Sequence, residues 1–412
     1  MKRLFWAIGL VMALSVNVSQ GQESVSAQTI ATPSAAAQCA CSPSVADATP
    51  SMCAPCASCS ATAPSFWNQL EVNGYVNAGF FCNTYGAVLN GNANKGAESG
   101  GALNAMYLSM GKAADNYGCG FDYGFKMDFA FGEDTRFLRV NSGLDEDWYT
   151  GHDRHHSDTY GFAMPQLYMD VAMNNWLVRV GHFYTPLGYE SARADERFFY
   201  TLGLTFDALP IVQSGAMIYY RGFQKLELGF GWVNGLNEGF DGENGGSMAA
   251  FTAKYNFNQQ TCFKYAALAG DVFDQISGEG KPFQMSGQLH SFVLESKLNC
   301  CLTAATTIDY QKYNIITNNE DSERVVLGQH FYRQINDCWK LGLRLEWQKD
   351  NESKKDDSEF TSLTVGANWR PTASENLVIR PEMRYDKSTQ KIYNNNTVNH
   401  QIAFGMDVML TF

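Results

Sequence analysis

The last thirteen residues of the chain, 400–412, alternate strictly between two kinds of side chain. Bulky apolar residues occupy one parity, namely Ile402, Phe404, Met406, Val408, Leu410 and Phe412. Small or polar residues fill most of the other parity, which holds Gln401, Ala403, Gly405, Asp407, Met409 and Thr411. A period of two over this length predicts a β-strand that spans a membrane with one face toward lipid. An edge strand of a soluble β-sandwich is disfavoured because the apolar set continues to the terminal residue.

The same alternation recurs along residues 66–412 and predicts about sixteen strands separated by turn signals. They are expected near 71–83, 101–110, 119–131, 163–173, 176–184, 212–221, 223–234, 247–257, 261–272, 285–298, 300–312, 323–334, 338–348, 359–370, 376–386 and 400–412. One face of each strand suits lipid and the other suits water. The predicted fold class is therefore all-β, a transmembrane antiparallel β-barrel of about sixteen strands.

The predicted connections alternate in length, as they do in membrane barrels with short periplasmic turns and long outer loops. Short connections are expected at 174–175, 222, 258–260, 299 and 336–337. Long ones are expected at 85–100, 132–161, 234–246, 274–283, 314–322, 350–358 and 387–399. An even number of strands puts both ends of the barrel sequence on the short-turn side. A soluble sandwich has no reason to keep this order.

Composition agrees with a barrel and narrows the class of function. Charged residues are only 17% of the 412, Tyr and Phe are abundant, and the mean hydropathy is −0.26. No apolar run of about twenty residues follows the N-terminal segment, so spanning by helices is excluded. A net charge of −12 without a basic patch argues against a nucleic-acid partner.

The N-terminal part of the chain divides into two segments before the barrel. Residues 1–21 have a charged start, an apolar core and small residues near the end, which predicts a signal peptide and export. Residues 22–65, the leader, are rich in Ala, Ser, Thr and Pro and are expected to be disordered. Five closely spaced cysteines lie in the leader, at Cys39, Cys41, Cys53, Cys56 and Cys59. Zinc or an iron–sulfur cluster is one interpretation, but disulfides are favoured in an exported protein.

Further cysteines fall at or beside predicted periplasmic turns. The candidates for disulfides with the leader, or with another subunit, are Cys262, Cys300, Cys301 and Cys338. A second metal hypothesis concerns the histidines and aspartates of residues 152–158, where a solvated loop of mixed charge is the favoured interpretation. The sequence therefore predicts no cofactor and no metal site.

Residues 184–211 are too long and too rich in bulky groups for an ordinary surface loop. Prolines and a Phe-Phe-Tyr cluster surround the charged residues Glu190, Arg193, Asp195, Glu196, Arg197 and Asp207. Such a segment is suited to fold into a barrel and narrow it. Expected partners on the inner wall are Arg179, Arg344, Glu346, Arg380, Glu382 and Arg384. A surface loop packed on neighbouring loops remains the alternative, and the presence of both signs of charge leaves ion preference open.

One stretch also resembles a known family. Residues 181–190, GHFYTPLGYE, are followed by Phe198-Phe199-Tyr200 and then by Gln213-Ser214-Gly215. This order is similar to the central signature of the OmpL-like β-barrel porins, and the resemblance extends over 66–412 while its specific part is about 179–215. It implies an outer-membrane barrel and passive diffusion, without naming a solute.

The predicted function is a bacterial outer-membrane porin for small hydrophilic solutes or ions, with no enzymatic activity. Two alternatives stay open: a structural envelope protein cross-linked through its cysteines, and a barrel-embedded lipid hydrolase. No hydrolase elbow, phosphate loop or dinucleotide fingerprint is present in the sequence. The expected partners are outer-membrane lipids and small solutes, with a second copy or disulfide-linked envelope neighbours as further options.

Overall fold

Sixteen antiparallel strands close into one barrel in the computed structural model of the protein. The structure describes residues 69–85, 100–114, 120–140, 143–145, 147–148, 160–241, 245–276, 282–316, 319–353, 357–371 and 376–412. The predicted signal peptide, the leader with its five cysteines, and the 152–158 cluster lie outside these residues. Each strand pairs with its neighbours in the sequence, and the first pairs with the last. The predicted fold class is confirmed.

The strand bounds agree closely with the predicted ones. They are β1 (Glu71–Asn83), β2 (Gly100–Lys112), β3 (Phe121–Gly132), β4 (Gly161–Met173), β5 (Trp176–Tyr184), β6 (Val212–Tyr220), β7 (Leu226–Val233), β8 (Ser247–Asn256), β9 (Thr261–Ile276), β10 (Pro282–Asn299), β11 (Leu302–Ile315), β12 (Glu320–Asn336), β13 (Trp339–Glu352), β14 (Ser358–Trp369), β15 (Leu377–Ser388) and β16 (His400–Thr411). In the described connections there are two helices of four residues, α1 (Thr135–Leu138) and α2 (Leu204–Asp207). No helix in the described part of the chain is long and apolar enough to cross a membrane.

The barrel closes where the C-terminal strand meets the first strand. Register runs from Tyr75 opposite Thr411 to Asn83 opposite Ala403. Beyond the strand, the amide nitrogen of Phe412 donates to the carbonyl of Gly74 at 2.9 Å, and the reverse bond is also 2.9 Å. Ladder bonds therefore satisfy the backbone up to the terminal residue, which the apolar surroundings of a membrane require.

The alternation in β16 separates the two faces of the barrel wall. Ile402 and Phe412 are 49% and 62% exposed on the outer face, whereas Gln401 and Asp407 are 2% and 0% exposed toward the interior. Outward apolar side chains recur on the other strands, including Met169, Val180, Phe230, Leu341 and Met383. The protein thus presents an apolar band to lipid and keeps its polar groups inside.

Three connections predicted as long loops are short. The chain turns at 277–281, 316–319 and 353–357, because β9 to β14 extend beyond the bounds read from the alternation. Cross-strand register continues there, as in Tyr313 opposite Ser322 and Ser322 opposite Glu352. Beyond the apolar band both faces of a strand meet water, so the pairing persists after the alternation disappears. The opposite end, which we call the turn end, has both barrel termini and the turns at 174–175, 300–301 and 337–338.

Candidate functional site: a loop anchored inside the barrel

The connection between β5 and β6, residues 185–211, lies against the inner face of the barrel, and we call it the inner loop. It contacts wall residues on both sides of the β1–β16 closure and as far round as β10. The backbone nitrogen of Ala194 donates a hydrogen bond to the hydroxyl of Tyr75 on β1 at 3.1 Å. On the far side, the Gly188 nitrogen donates to Ser291 Oγ of β10 at 3.0 Å. The segment therefore extends across the lumen, from β1 to β10.

The most buried anchor is Arg344 of β13, whose side chain is 0% exposed. Its Nη1 donates to Glu190 Oε1 at 2.6 Å and to the Thr201 carbonyl at 3.0 Å. Its Nη2 donates to Thr201 Oγ1 at 3.3 Å and to Thr364 Oγ1 at 3.2 Å. Glu346 Oε2 lies 3.2 Å from Nε of the same guanidinium. One wall cation thus holds both limbs of the inner loop, since Glu190 and Thr201 lie on opposite sides of its tip.

Four other wall charges hold the backbone of the inner loop. Glu382 accepts from the amide nitrogens of Tyr200 and Thr201 at 2.7 and 3.1 Å. Arg380 donates to the carbonyls of Ala194 and Arg197 at 2.7 and 2.9 Å and also binds Asp407. Arg384 donates to the Leu202 carbonyl at 2.6 Å. Glu346 adds a bond from the Thr205 nitrogen at 3.1 Å. These contacts supply partners for backbone groups that have no ladder.

The Phe-Phe-Tyr cluster packs along a row of four register partners in the wall, three of which are glycines. Gly342, Gly366, Glu382 and Gly405 are successive register partners across β13 to β16. Phe198 lies against Gly342, Phe199 against Gly366, and Tyr200 against Gly405. A Cβ at Gly366 would lie 3.2 Å from the Phe199 ring, and one at Gly405 would lie 2.7 Å from the Tyr200 ring. Because these three positions lack side chains, the wall has a groove that the three rings fill, and Glu382 lies between Gly366 and Gly405 in this row.

The charged side chains of the inner loop are mostly paired. Arg193 meets Asp195 at 2.7 Å and Glu196 at 3.3 Å. Arg197 meets Asp134, next to α1, at 3.2 Å, and it also donates to the Ala192 carbonyl at 2.8 Å. Asp207 is half-buried at the end of α2. The inner loop is thus also tied to the connection between β3 and β4.

The other flank of the inner loop is apolar. Leu187 and Leu209 pack with inward side chains of β5 to β10, among them Phe183, Met217, Met248, Val272 and Leu289. Burial of such side chains stabilises each by about 1.5–3 kcal/mol. One side of the lumen therefore contacts the inner loop through charges and hydrogen bonds, and the other side contacts it through apolar packing.

A tyrosine cluster that the sequence analysis did not select supports the start of the inner loop. Tyr107 Oη donates to Asp128 at 2.7 Å and lies 2.9 Å from the Tyr184 hydroxyl. The ring of Tyr107 stacks on that of Tyr75, with centroids 5.2 Å apart. Tyr75, Tyr107 and Asp128 lie on the inward parity of their strands, which was the only available signal, whereas Tyr184, the last residue of β5, lies on the same parity as the outward Val178 and Val180. An inward tyrosine of a barrel can also face a water-filled lumen, so its parity alone does not predict a packing contact.

Arg179 is the one proposed wall partner that does not approach the inner loop in the described contacts. It forms a two-pronged pair with Asp170 on the neighbouring strand, at 2.9 and 2.8 Å. Its guanidinium also lies 3.8 Å from the centroid of Tyr168. Arg179 is near the turn end of β5, whereas the inner loop leaves from the opposite end, so the two are separated along the barrel axis.

Glu190 is ionised in this arrangement. Burial alone would raise the pKa of its carboxyl, but the Arg344 guanidinium, His330 and the Gly203 amide act in the opposite direction and more strongly. The net result is a pKa below the ordinary value of 4.5. The Glu190–Arg344 pair is therefore a charge pair at neutral pH.

The cysteines of the barrel are separate from the inner loop. Cys262, Cys300, Cys301 and Cys338 lie at the turn end, and Cys82 is near the other end of β1. None of these five forms a disulfide within the described residues, although the sulfur atoms of Cys300 and Cys301 are 3.4 Å apart. The same residues contain no group of three or more potential metal ligands.

Comparison with known proteins gives the family. A family model described as "Putative beta-barrel porin-2, OmpL-like" matches residues 69–412. The chain belongs to this family. It is therefore a β-barrel protein of the bacterial outer membrane and a member of an outer-membrane channel family.

Solved structures agree on the fold of this porin. An anion-selective porin from Comamonas acidovorans is 12% identical, with a TM-score of 0.57 over 83% of this chain and 99% of that one. The outer membrane channel DcaP of Acinetobacter baumannii is 11% identical, with a TM-score of 0.56 over 83% and 97%. OmpT with loop L8 deleted, an outer membrane protein of Vibrio cholerae, is 12% identical with a TM-score of 0.55 over 83% and 99%. A comparison with curated proteins gave no match.

Proposed function

We propose that this porin forms a water-filled channel for passive diffusion of small hydrophilic solutes or ions, and that the inner loop is its constriction. The observation that carries the proposal is the anchoring of residues 185–211 inside the lumen by Arg344, Arg380 and Glu382. A barrel of about sixteen strands encloses an aqueous lumen unless a segment fills it. A loop fixed across that lumen limits the size of what passes.

Planar-bilayer recording of the purified protein tests the proposal. Deletion of residues 192–198 removes the Arg193 and Arg197 pairs and the Phe198 contact, and it should raise single-channel conductance. The control is Arg324→Gln, which removes an inward pair with Asp350 (2.8 Å) that does not contact the inner loop in the described residues. The control should leave conductance close to that of the native protein. Unchanged conductance and ion selectivity in the deletion variant would place the constriction elsewhere.

A structural role in the envelope is the second candidate, because four cysteines share the turn end. Disulfides from Cys262, Cys300, Cys301 or Cys338 to the leader or to a neighbour would attach the barrel without altering its ladder. This role is separable from diffusion, since the anchors of the inner loop involve no sulfur. A protein that crosslinks in envelopes but conducts no ions would favour the structural role over the channel.

A further inference from the structure

A cavity of about 560 Å³ lies beneath the inner loop at the turn end of the barrel, and we call it the vestibule. The inner loop, including Tyr189 and Phe198, forms one side of its lining, and the inward faces of β9 to β14 form the other. Its lining includes the strand-end residues Lys264 and Arg370, which stand beside short turns. This volume is large enough for a small organic molecule.

The carboxylates of the vestibule already have cationic partners. Glu190 binds Arg344 at 2.6 Å, and Glu295 forms an ion pair with Lys264. Asp195 and Glu196 share Arg193, at 2.7 and 3.3 Å. A cation entering the vestibule would therefore have to compete with an existing pair for each of these groups.

Two cations of the vestibule have no such partner. Within the residues described by the structure, Lys340 and Arg370 have no carboxylate at ion-pairing distance, and both are half-buried. They are diagonal neighbours on the inner wall, because Lys340 is the register partner of Asn368, two residues before Arg370. Like charges side by side on one sheet face repel each other. An anion between them would remove that repulsion.

Aromatic rings stand directly beside this pair. Nζ of Lys340 lies 5.8 Å from the centroid of Phe198 and 5.4 Å from that of Tyr332. The two rings are themselves 4.9 Å apart and tilted. Phe198 is held from behind by Gly342 in the groove described above. The vestibule thus combines two cations that have no ion-pair partner among the described residues with a fixed apolar surface.

We propose that the vestibule is a binding site for small aromatic carboxylates. Lys340 and Arg370 bind the carboxylate, whose planar shape matches the guanidinium of Arg370. The aromatic body of the solute packs on Phe198 and Tyr332, as ring pairs do at tilted or offset geometries. The site rests on the proposed channel for access, and it names a class of solute that the channel would accept.

Equilibrium binding of benzoate to the detergent-solubilised full chain, measured by calorimetry, tests the site without requiring conductance. The double variant Lys340→Gln/Arg370→Gln should weaken benzoate binding by about tenfold for each cation removed, the size of one charge-assisted contact. The matched control is Arg333→Gln, which removes a cation from the exposed outward parity at the same barrel end. It should leave benzoate binding unchanged. Heat-modifiable gel migration verifies that each variant has a folded barrel.

Two analogues separate the two parts of the site. Benzyl alcohol keeps the ring and lacks the charge, and acetate keeps the charge and lacks the ring, so both should bind at least tenfold more weakly than benzoate. Equal binding of benzoate by the native protein and the double variant would overturn the proposal. So would benzyl alcohol or acetate binding as tightly as benzoate.

A bilayer measurement distinguishes failure of the site from failure of the channel. Benzoate added on the turn side should reduce the chloride current of the native protein, and it should do so far less in the double variant. Benzoate binding in a protein that never conducts would refute the channel and support the site. Conductance without measurable benzoate binding would refute the site and leave the channel in place.

Discussion

Removal of the Arg344 guanidinium is the sharpest perturbation of the inner loop. Arg344→Met keeps a long apolar side chain but removes the bonds to Glu190, Thr201 and Thr364. It leaves Glu190 and Glu346 buried next to each other without their shared cation. Two carboxylates in that position repel each other and have lost their solvation, so the local structure has to change.

The size of the effect follows from this burial. Breaking a buried pair by removing one partner typically costs about 3–5 kcal/mol, because a charge is left without compensation. Glu190→Gln should cost less, since the amide can still accept a bond from the remaining guanidinium. In the double variant the orphaned charge at position 190 is absent. We therefore expect a coupling energy of roughly 2–3 kcal/mol between Arg344 and Glu190.

Urea unfolding of the native protein and the three variants in detergent, followed by tryptophan fluorescence, measures this coupling. A parallel cycle on Arg324 and Asp350, whose side chains are 33% and 14% exposed, is the control. That pair lies near the end of the strands and is partly exposed, so it should couple by about 1 kcal/mol or less. Single-channel records should show frequent opening fluctuations where Arg344 is replaced and none in the Arg324 and Asp350 variants. A coupling for Arg344 and Glu190 no larger than the control value, together with quiet channels, would refute the anchoring of the inner loop.

Two further predictions concern pH and sulfur chemistry. Because the pKa of Glu190 is lowered, its pairing stabilises the inner loop fully above the ordinary value of 4.5 and is lost as pH falls through the lowered value. Conductance should therefore be constant from pH 7 to 5 and rise in more acidic buffer. The Glu190→Gln variant should show a smaller rise, because its position 190 does not titrate. Mass spectrometry of unreduced native envelopes should find the leader cysteines, Cys39 to Cys59, in disulfides, either with the turn-end cysteines Cys262, Cys300, Cys301 and Cys338 or with another subunit. Free thiols in the leader, or a stoichiometric metal bound to it, would contradict this prediction.

The sequence alone was sufficient for the barrel, because lipid imposes a simple rule on every strand. A residue on the outer parity must be apolar, and each backbone polar group must find a ladder partner. The period of two in residues 400–412 reports that rule directly, and the same rule recurs through the other strands. Where strands β9 to β14 extend out of the apolar band, the rule no longer applies, and there the predicted loops at 274–283, 314–322 and 350–358 were too long.

The sequence predicted the contacts of the inner loop only in part. Its length and its Phe-Phe-Tyr cluster indicated a segment that packs, and the inward parity selected Arg344, Glu346, Arg380, Glu382 and Arg384. Whether these groups meet the segment depends on how far it descends into the lumen, a distance that no local pattern contains. Arg179 shows the limit, because the same parity argument selected it and its position along the barrel axis pairs it with Asp170 instead.

Tertiary structure alone decided what each charge does. Glu382 and Arg380 bind loop backbone groups whose sequence separation from them exceeds 180 residues, and the row from Gly342 to Gly405 becomes a groove only when four strands align in register. Unlike Lys264 and Arg197, Lys340 and Arg370 have no carboxylate at ion-pairing distance among the described residues, and no local sequence pattern predicts that difference. The sequence determines the faces of each strand because solvent and lipid act on every residue separately. Pairing is decided by distances between strands, which exist only after the barrel has closed.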